Sequence, residues 1–169
     1  EYPEDNWDTT LPIIRDESRR LADLATNILT LNRVESQTIL TDKAAFPLDE
    51  QLRQSVLVTQ QKWRQKELDF DADLVPAEYT GSEGLLKEVW LNLLDNAAKF
   101  AAKGTTITVQ ITKKDGKAYN SIRNLGATIP PDELSLLFDR FHKADYSRSM
   151  DREGVGLGLY IVKTILQQH

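Results

Sequence analysis

Three glycines alternate in the stretch "DREGVGLGLYIVKTILQQH", at Gly154, Gly156 and Gly158, and an apolar run of helical spacing follows at once. Glycines that open a helix leave backbone N–H groups free to cradle a phosphate. The spacing excludes the commonest versions of that device. A dinucleotide fold needs G-x-G-x-x-G after a hydrophobic strand, whereas here G-x-G-x-G follows the polar "SRSMDRE". No G-x-x-x-x-G-K-[ST] string occurs in the chain. A protein-kinase glycine loop would need a V-A-I-K-type strand and an H-R-D loop downstream, and the chain ends at His169. A helix that merely starts with flexible residues is the alternative, and other residues must decide.

A second set lies in "GLLKEVWLNLLDNAAKFAA". On a helix, Glu88, Asn92, Asp95, Asn96 and Lys99 fall within an arc of about 100°. The other positions, among them Leu86, Val89, Trp90, Leu93, Leu94, Ala97 and Phe100, are almost all apolar. Such a helix is buried around most of its circumference and keeps one narrow polar stripe. The stripe reads as a solvated face or as a ligand site. Asparagine is a poor helix former, and a solvated face normally carries Glu, Lys, Gln or Arg. A carboxamide oxygen can ligate Mg²⁺, and a lysine one turn on can meet phosphate oxygens. That combination favours a nucleotide site. Asn124, on the same strand face as Ile122 and two residues before Gly126, reads either as a ligand contact or as an Asn that ends a strand.

The elements that must position these residues follow from periodicity. "WDTTLPIIRDESRRLADLATNILTLNRVESQ" reads as one long helix, capped at Thr9 or Thr10, with Pro12 in its first turn. Its Ile14, Leu21, Leu24, Ile28 and Leu31 form a coiled-coil-like seam that needs a partner from another chain, the following domain or sequence outside this chain. "TILTDKAAF" reads as a linker, "PLDEQLRQSVLVTQQKWRQK" as a helix and "ELDFDAD" as a strand. "TTITVQITKKDGKAYNSIRN" reads as a hairpin turned at Asp115-Gly116. "PPDELSLLFDRF" reads as a short helix entered through proline, "HKADYSRSMDRE" as a polar loop, and the glycines then open the last helix. The class is α+β, with helices over one face of a mixed, mostly antiparallel sheet.

Composition narrows the partners. The chain has 169 residues, 40% of them hydrophobic, with a net charge of −5 and no cysteine. The acidic balance argues against nucleic acid as a partner. Absence of cysteine excludes disulfides and thiolate chemistry, and two histidines alone make a poor zinc site. No apolar run approaches the roughly 20 residues of a membrane span. No signal peptide is visible, and the start at "EYPEDNW" without Met reads as an excised fragment.

In order and spacing, these pieces resemble the sensor histidine kinases of two-component systems, whose ATP domain belongs to the Bergerat-fold superfamily shared with gyrase and MutL. "EVWLNLLDNAAKF" resembles that family's N box, "NLGATIP" its first glycine box, "LFDRFHK" its F box and "GVGLGLYIVK" its second glycine box. "LTLNRVES" resembles the end of the second helix of the dimerisation and phosphotransfer hairpin. The resemblance implies a Bergerat-type α/β sandwich preceded by one long coiled-coil-like helix. Residues 1–40 would be the second hairpin helix, and residues 41–169 the catalytic ATP-binding domain.

The resemblance also implies roles. Asn96 would ligate Mg²⁺ bridging the ATP phosphates, supported by Asn92. Related ATPases that hydrolyse ATP carry a glutamate base at the Asn92 position, so transfer to protein is favoured over hydrolysis. Lys99 would contact phosphate, and Phe100 would pack near sugar or base. Asn124 would receive the adenine amino group, and Gly126 would let the base approach, with Ile129 nearby. Phe138 and Phe141 would anchor a lid from which Lys143, Arg148 and Arg152 reach the γ-phosphate. Gly154, Val155, Gly156, Leu157, Gly158 and Leu159 would form the lid hinge and phosphate cradle. The implied reaction is phosphoryl transfer, in which positioning and charge neutralisation do most of the catalysis. The implied partners are an acceptor-histidine helix of the same or a sister protomer, a response regulator and a second copy of the parent protein. The implied place is the cytoplasmic part of a membrane-anchored bacterial sensor.

Departures from the family pattern matter. The first glycine box usually reads D-x-G-x-G, and here Asn124 and Thr128 stand at its first and last positions. A neutral acceptor makes a bond roughly half as strong as a charged one, so weaker nucleotide affinity or altered base selectivity follows. No "SHELRTPL"-like acceptor box occurs, and neither His142 nor His169 is placed to serve as one. The Gly-Gly turn and two strands that normally end the family's domain are also absent. The expectation is a catalytic fragment, or a natural truncation, that binds Mg·ATP and cannot phosphorylate itself. A degenerate, nucleotide-blind helix-pairing module is the second reading. An ATP-driven switch related to gyrase or MutL is the third, and it wants a glutamate at position 92.

Overall fold

A computed structural model describes residues 7–36, 43–142 and 156–169. Helix α1 (Trp7–Ser36) is 30 residues long. Thr9 and Thr10 lie inside it rather than capping it, and Pro12 falls within the helix rather than at its entry. Strand β1 (Ala44–Pro47) occupies part of the segment read as a linker and pairs antiparallel with β3 (Glu78–Gly81), which the sequence reading did not contain. Both strands are four residues long, too short to show an alternating pattern.

Helix α2 (Leu48–Lys62) ends in a 3₁₀ turn at Arg64–Lys66. Strand β2 (Asp69–Leu74) then enters a sheet of order β2-β4-β5. It runs parallel to β4 (Thr106–Lys114), which pairs antiparallel with β5 (Lys117–Arg123). Asp115 and Gly116 make the expected turn, with φ of 53° and 73°. Both values are positive, the type I′ pattern that matches the twist of the flanking strands.

One face of the sheet is apolar. Ile107, Val109 and Ile111 alternate along β4 and are fully buried. Helices α2, α3 (Glu83–Phe100) and α4 (Gly158–Gln168) supply the opposing layer through Leu52, Leu94 and Ile161. The outward face of β2 carries Asp69, Asp71 and Asp73, which keep that edge strand solvated and discourage pairing.

Helix α3 is held to α2 by polar ties as well as packing. Gln51, 7% exposed, accepts from the Trp90 indole N–H at 2.8 Å and donates to the Glu83 carbonyl at 2.7 Å. Gln51→Leu leaves the buried Trp90 indole N–H without its acceptor. The expected loss is about 2 kcal/mol of stability, which is a fall of about 4–8 °C in Tm for a chain of this size. Thermal unfolding followed by circular dichroism reads it, and an unchanged Tm contradicts the assignment.

The seam on α1 finds part of its partner within the same chain. Leu31 and Val34 are buried, Leu24 packs against the core, and Gln168 donates to the Val34 carbonyl at 2.6 Å. Nearby, Arg140 pairs with Glu35 and stacks 4.9 Å over the Tyr160 ring, whose hydroxyl donates to Glu35 at 3.2 Å. The Tyr160 hydroxyl, and behind it the Glu35 carboxylate, raise the Arg140 guanidinium above its ordinary value. Ile14, Leu21 and Ile28, further up the same seam, stay exposed.

The segment expected as a short proline-entered helix is instead a chain of tight turns. Glu133 N–H donates to Pro130 O, Leu136 to Glu133, Asp139 to Leu136 and His142 to Asp139, each three residues back. Two adjacent prolines lack N–H groups, and Leu134, Leu136 and Phe138 are exposed, so no buried stripe rewards helix formation.

Candidate nucleotide site

Helix α3 carries the polar stripe, and the structure divides it between two tasks. Asp95 serves structure: its Oδ1 accepts from Lys62 Nζ at 2.7 Å and from the Trp63 indole at 2.8 Å, which pins the end of α2. Asn92 and Asn96, each half-buried, face the start of α4. Asn92 Nδ2 donates to the Glu88 carbonyl at 2.9 Å, which orients its oxygen outward from the helix. A methyl group at Gly158 would lie 2.7 Å from Asn92 Oδ1 and 4.0 Å from Asn96 Nδ2. Two sequence boxes more than 60 residues apart therefore meet, and a side chain at position 158 would have to push the Asn92 amide aside.

The C-terminal end of α3 forms the floor of a second feature. An open cavity of about 300 Å³ is lined by Phe100, Ala101, Ala102, Leu125, Gly126 and Ala127. Ala101 and Gly126 form a single antiparallel bridge, and Ala102 N–H donates to Leu125 O at 2.8 Å. A Cβ at Gly126 would fall 2.0 Å from the Phe100 carbonyl oxygen, so this approach is open to glycine alone. Asn124 lies just past the end of β5 and is exposed, rather than inward with the half-buried Ile122. Its amide nitrogen is 3.2 Å from that same Cβ position, so it sits at the cavity mouth. The Lys99 ammonium lies 5.3 Å from the centre of the Phe100 ring, on the rim between cavity and stripe.

The remaining expected site residues differ in their surroundings. Ile129 and Leu159 are half-buried, while Phe138 and Phe141 are 39% and 59% exposed and not packed as anchors. Leu157 is a core residue at 1% exposed, so only its backbone faces a ligand. Gly156 takes a φ of 75° and its carbonyl accepts from Phe141 N–H at 3.0 Å. Lys143, Arg148, Arg152, Gly154 and Val155 lie outside the described residues.

Chemically, the site offers amide oxygens and a lysine at one end and an apolar slot with a polar mouth at the other. Amide oxygens suit a hard cation such as Mg²⁺, which takes few protein ligands and shares the rest with substrate phosphates. A flat apolar slot beside a hydrogen-bonding amide suits a nucleobase.

Residues 81–169 match the family model of the histidine kinase-, DNA gyrase B- and HSP90-like ATPases, which is more than half of the chain. The chain belongs to this ATPase family. Within it, the chain is similar to a sensor histidine kinase and to sensor proteins. The mycobacterial sensor histidine kinase MprB is 30% identical, with a TM-score of 0.67 over 76% of this chain and 80% of its own. Full-length ShkA in complex with AMPPNP has a TM-score of 0.76 over 95% of this chain and 34% of its own, at 22% identity. Sensor protein SrrB of Staphylococcus aureus is 28% identical over 165 residues, which is 95% of this chain and 28% of SrrB. The chain thus spans about 28% of the length of that curated relative. It is the ATP-binding catalytic region of a sensor histidine kinase, of α+β class, with the helix-covered mixed sheet that the resemblance implied.

Lys66 was not legible as a site residue. It reaches the carbonyls at the end of α3 from the 3₁₀ turn after α2. A lysine before a strand in sequence carries no mark of such a contact.

Proposed function

We propose that this chain binds Mg·ATP with the base in the Phe100–Gly126 cavity and the phosphates over Asn92, Asn96 and Gly158. It then presents the γ-phosphoryl group to a histidine on a helix that pairs with the exposed seam of α1. Residues 1–40 act as the second helix of that phosphotransfer hairpin, and residues 41–169 as the catalytic domain. A response regulator takes the phosphoryl group onward, and the work takes place on the cytoplasmic side of a parent sensor. Among the described residues, no helix is long and apolar enough to cross a membrane. The observation that carries the reading is the Gly158 junction, because it brings the helix-opening glycine against the asparagine stripe.

Asn96 would hold Mg²⁺ through its amide oxygen, and the ion would supply charge neutralisation at the phosphates. Asn92 holds its amide N–H on Glu88 O, so its oxygen stays fixed toward the phosphate side. An amide cannot act as a general base for water, which disfavours hydrolysis at that position. Lys99 offsets phosphate charge, and Asn124 accepts from the base amino group at the cavity mouth. Incubation with γ-labelled ATP is expected to leave no acid-labile phosphate on this chain, because neither His142 nor His169 stands in an acceptor position. Acid-labile label on the isolated chain contradicts the assignment of an external acceptor.

A further inference from the structure

The end of α3 presents carbonyls that have no partner within the helix, and one half-buried cation collects them. Lys66 Nζ donates to Ala98 O at 2.9 Å, to Ala101 O at 2.9 Å and to Lys99 O between them. The contacts span both sides of Phe100, which lines the cavity with its neighbour Ala101 and whose carbonyl meets Gly126. The ammonium also sits where the α3 dipole is negative, which adds to the attraction. Three features aim it. Trp63 N–H closes α2 on Thr59 O at 3.0 Å, the ammonium lies 5.5 Å over the Trp63 ring, and Glu67 turns the chain away in the left-handed region at φ 54°. The Lys66 carbonyl in turn accepts from Gly104 N–H at 3.1 Å, just beyond the helix end.

We propose that Lys66 is a positioning residue for nucleotide binding. By tying off the C-terminal turn of α3, it fixes the floor at Phe100 and Ala101 and the place of Lys99 on the rim. It touches no ligand itself. Its effect falls on the nucleoside end of the site, because Asn92 lies more than a turn further back and Asn96 adjoins Asp95, which is fixed to Lys62 and Trp63. The inference rests on the nucleotide reading above.

The test is calorimetric titration of the 169-residue chain with AMPPNP, with and without Mg²⁺, beside Lys66→Met, Lys66→Gln and Lys66→Arg. Circular dichroism establishes folding at the titration temperature, and Lys66→Gln replaces Lys66→Met if the latter is unfolded there. Lys66→Met is expected to lose about tenfold in affinity, the scale seen when a group that orients a ligand-binding residue is removed. The loss is expected to be the same with and without Mg²⁺, and Lys66→Arg is expected to recover most of it. Folded Lys66→Met and Lys66→Gln that bind within about twofold of the unmutated chain overturn the inference alone. A loss confined to the Mg²⁺-dependent part of the affinity also overturns it. Failure of the unmutated chain to bind overturns the nucleotide reading, and with it this inference.

Discussion

Asn96→Ala is expected to remove most of the Mg²⁺-dependent affinity for ATP while leaving the fold intact. Asn96 is half-buried in the fourth turn of a helix whose packing depends on Leu94, Ala97 and Ala98 on other sides. Alanine is a better helix former than asparagine, so stability is expected to hold or rise slightly. The amide oxygen, by contrast, has no substitute within the stripe. Asp95 is committed to Lys62 and Trp63, and Asn92 faces Gly158. The expected loss is about 100-fold in the presence of Mg²⁺, about 2.7 kcal/mol, and little in EDTA. Parallel titrations with and without Mg²⁺ read the difference. Equal affinities for the variant and the unmutated chain contradict the metal role.

Gly126→Ala is expected to have the other large effect, and it acts on shape. The added methyl group would lie 2.0 Å from the Phe100 carbonyl oxygen, which is backbone and cannot rotate away. The loop after β5 must therefore move off the end of α3 by more than an ångström, breaking the Ala101–Gly126 bridge and opening the cavity. Overpacking of this kind costs about 1–3 kcal/mol, which is a fall of roughly 2–12 °C in Tm. Nucleotide binding is expected to fall below detection at temperatures where the variant is still folded. A folded variant that binds like the unmutated chain shows that the base lies elsewhere.

How far this site could be read in advance depended on whether neighbours in sequence are neighbours in function. The stripe on α3 was legible because a nearly all-apolar helix makes each polar residue conspicuous. Gly126 and Gly158 were legible as glycines, but the atoms they make room for, Phe100 O and Asn92 Oδ1, belong to a distant element. Periodicity places Asp95 beside Asn92 and Asn96 yet cannot show that Lys62 and Trp63 claim it from α2. Lys66 was invisible for the same reason.

The fold shows a similar division. Helices α3 and α4 and the β4–β5 hairpin are long and strongly patterned, and they lie where they were expected. Strands β1 and β3 are too short to carry a period. The turns from Pro130 to His142 have helical composition, but their apolar side chains face solvent and give a helix nothing to bury. The α1 seam was read as needing a partner. Its last member, Leu31, is buried in the core, and Val34, one turn beyond the seam, meets α4 through Gln168.

The most direct measurement is a calorimetric titration of the chain with AMPPNP in the presence of Mg²⁺, run beside Asn96→Ala. The expected result is saturable binding at one site, sharply weakened both by the substitution and by EDTA. No binding by a folded, unmutated chain would contradict the Mg·ATP site and favour a helix-pairing module that works through the exposed face of α1.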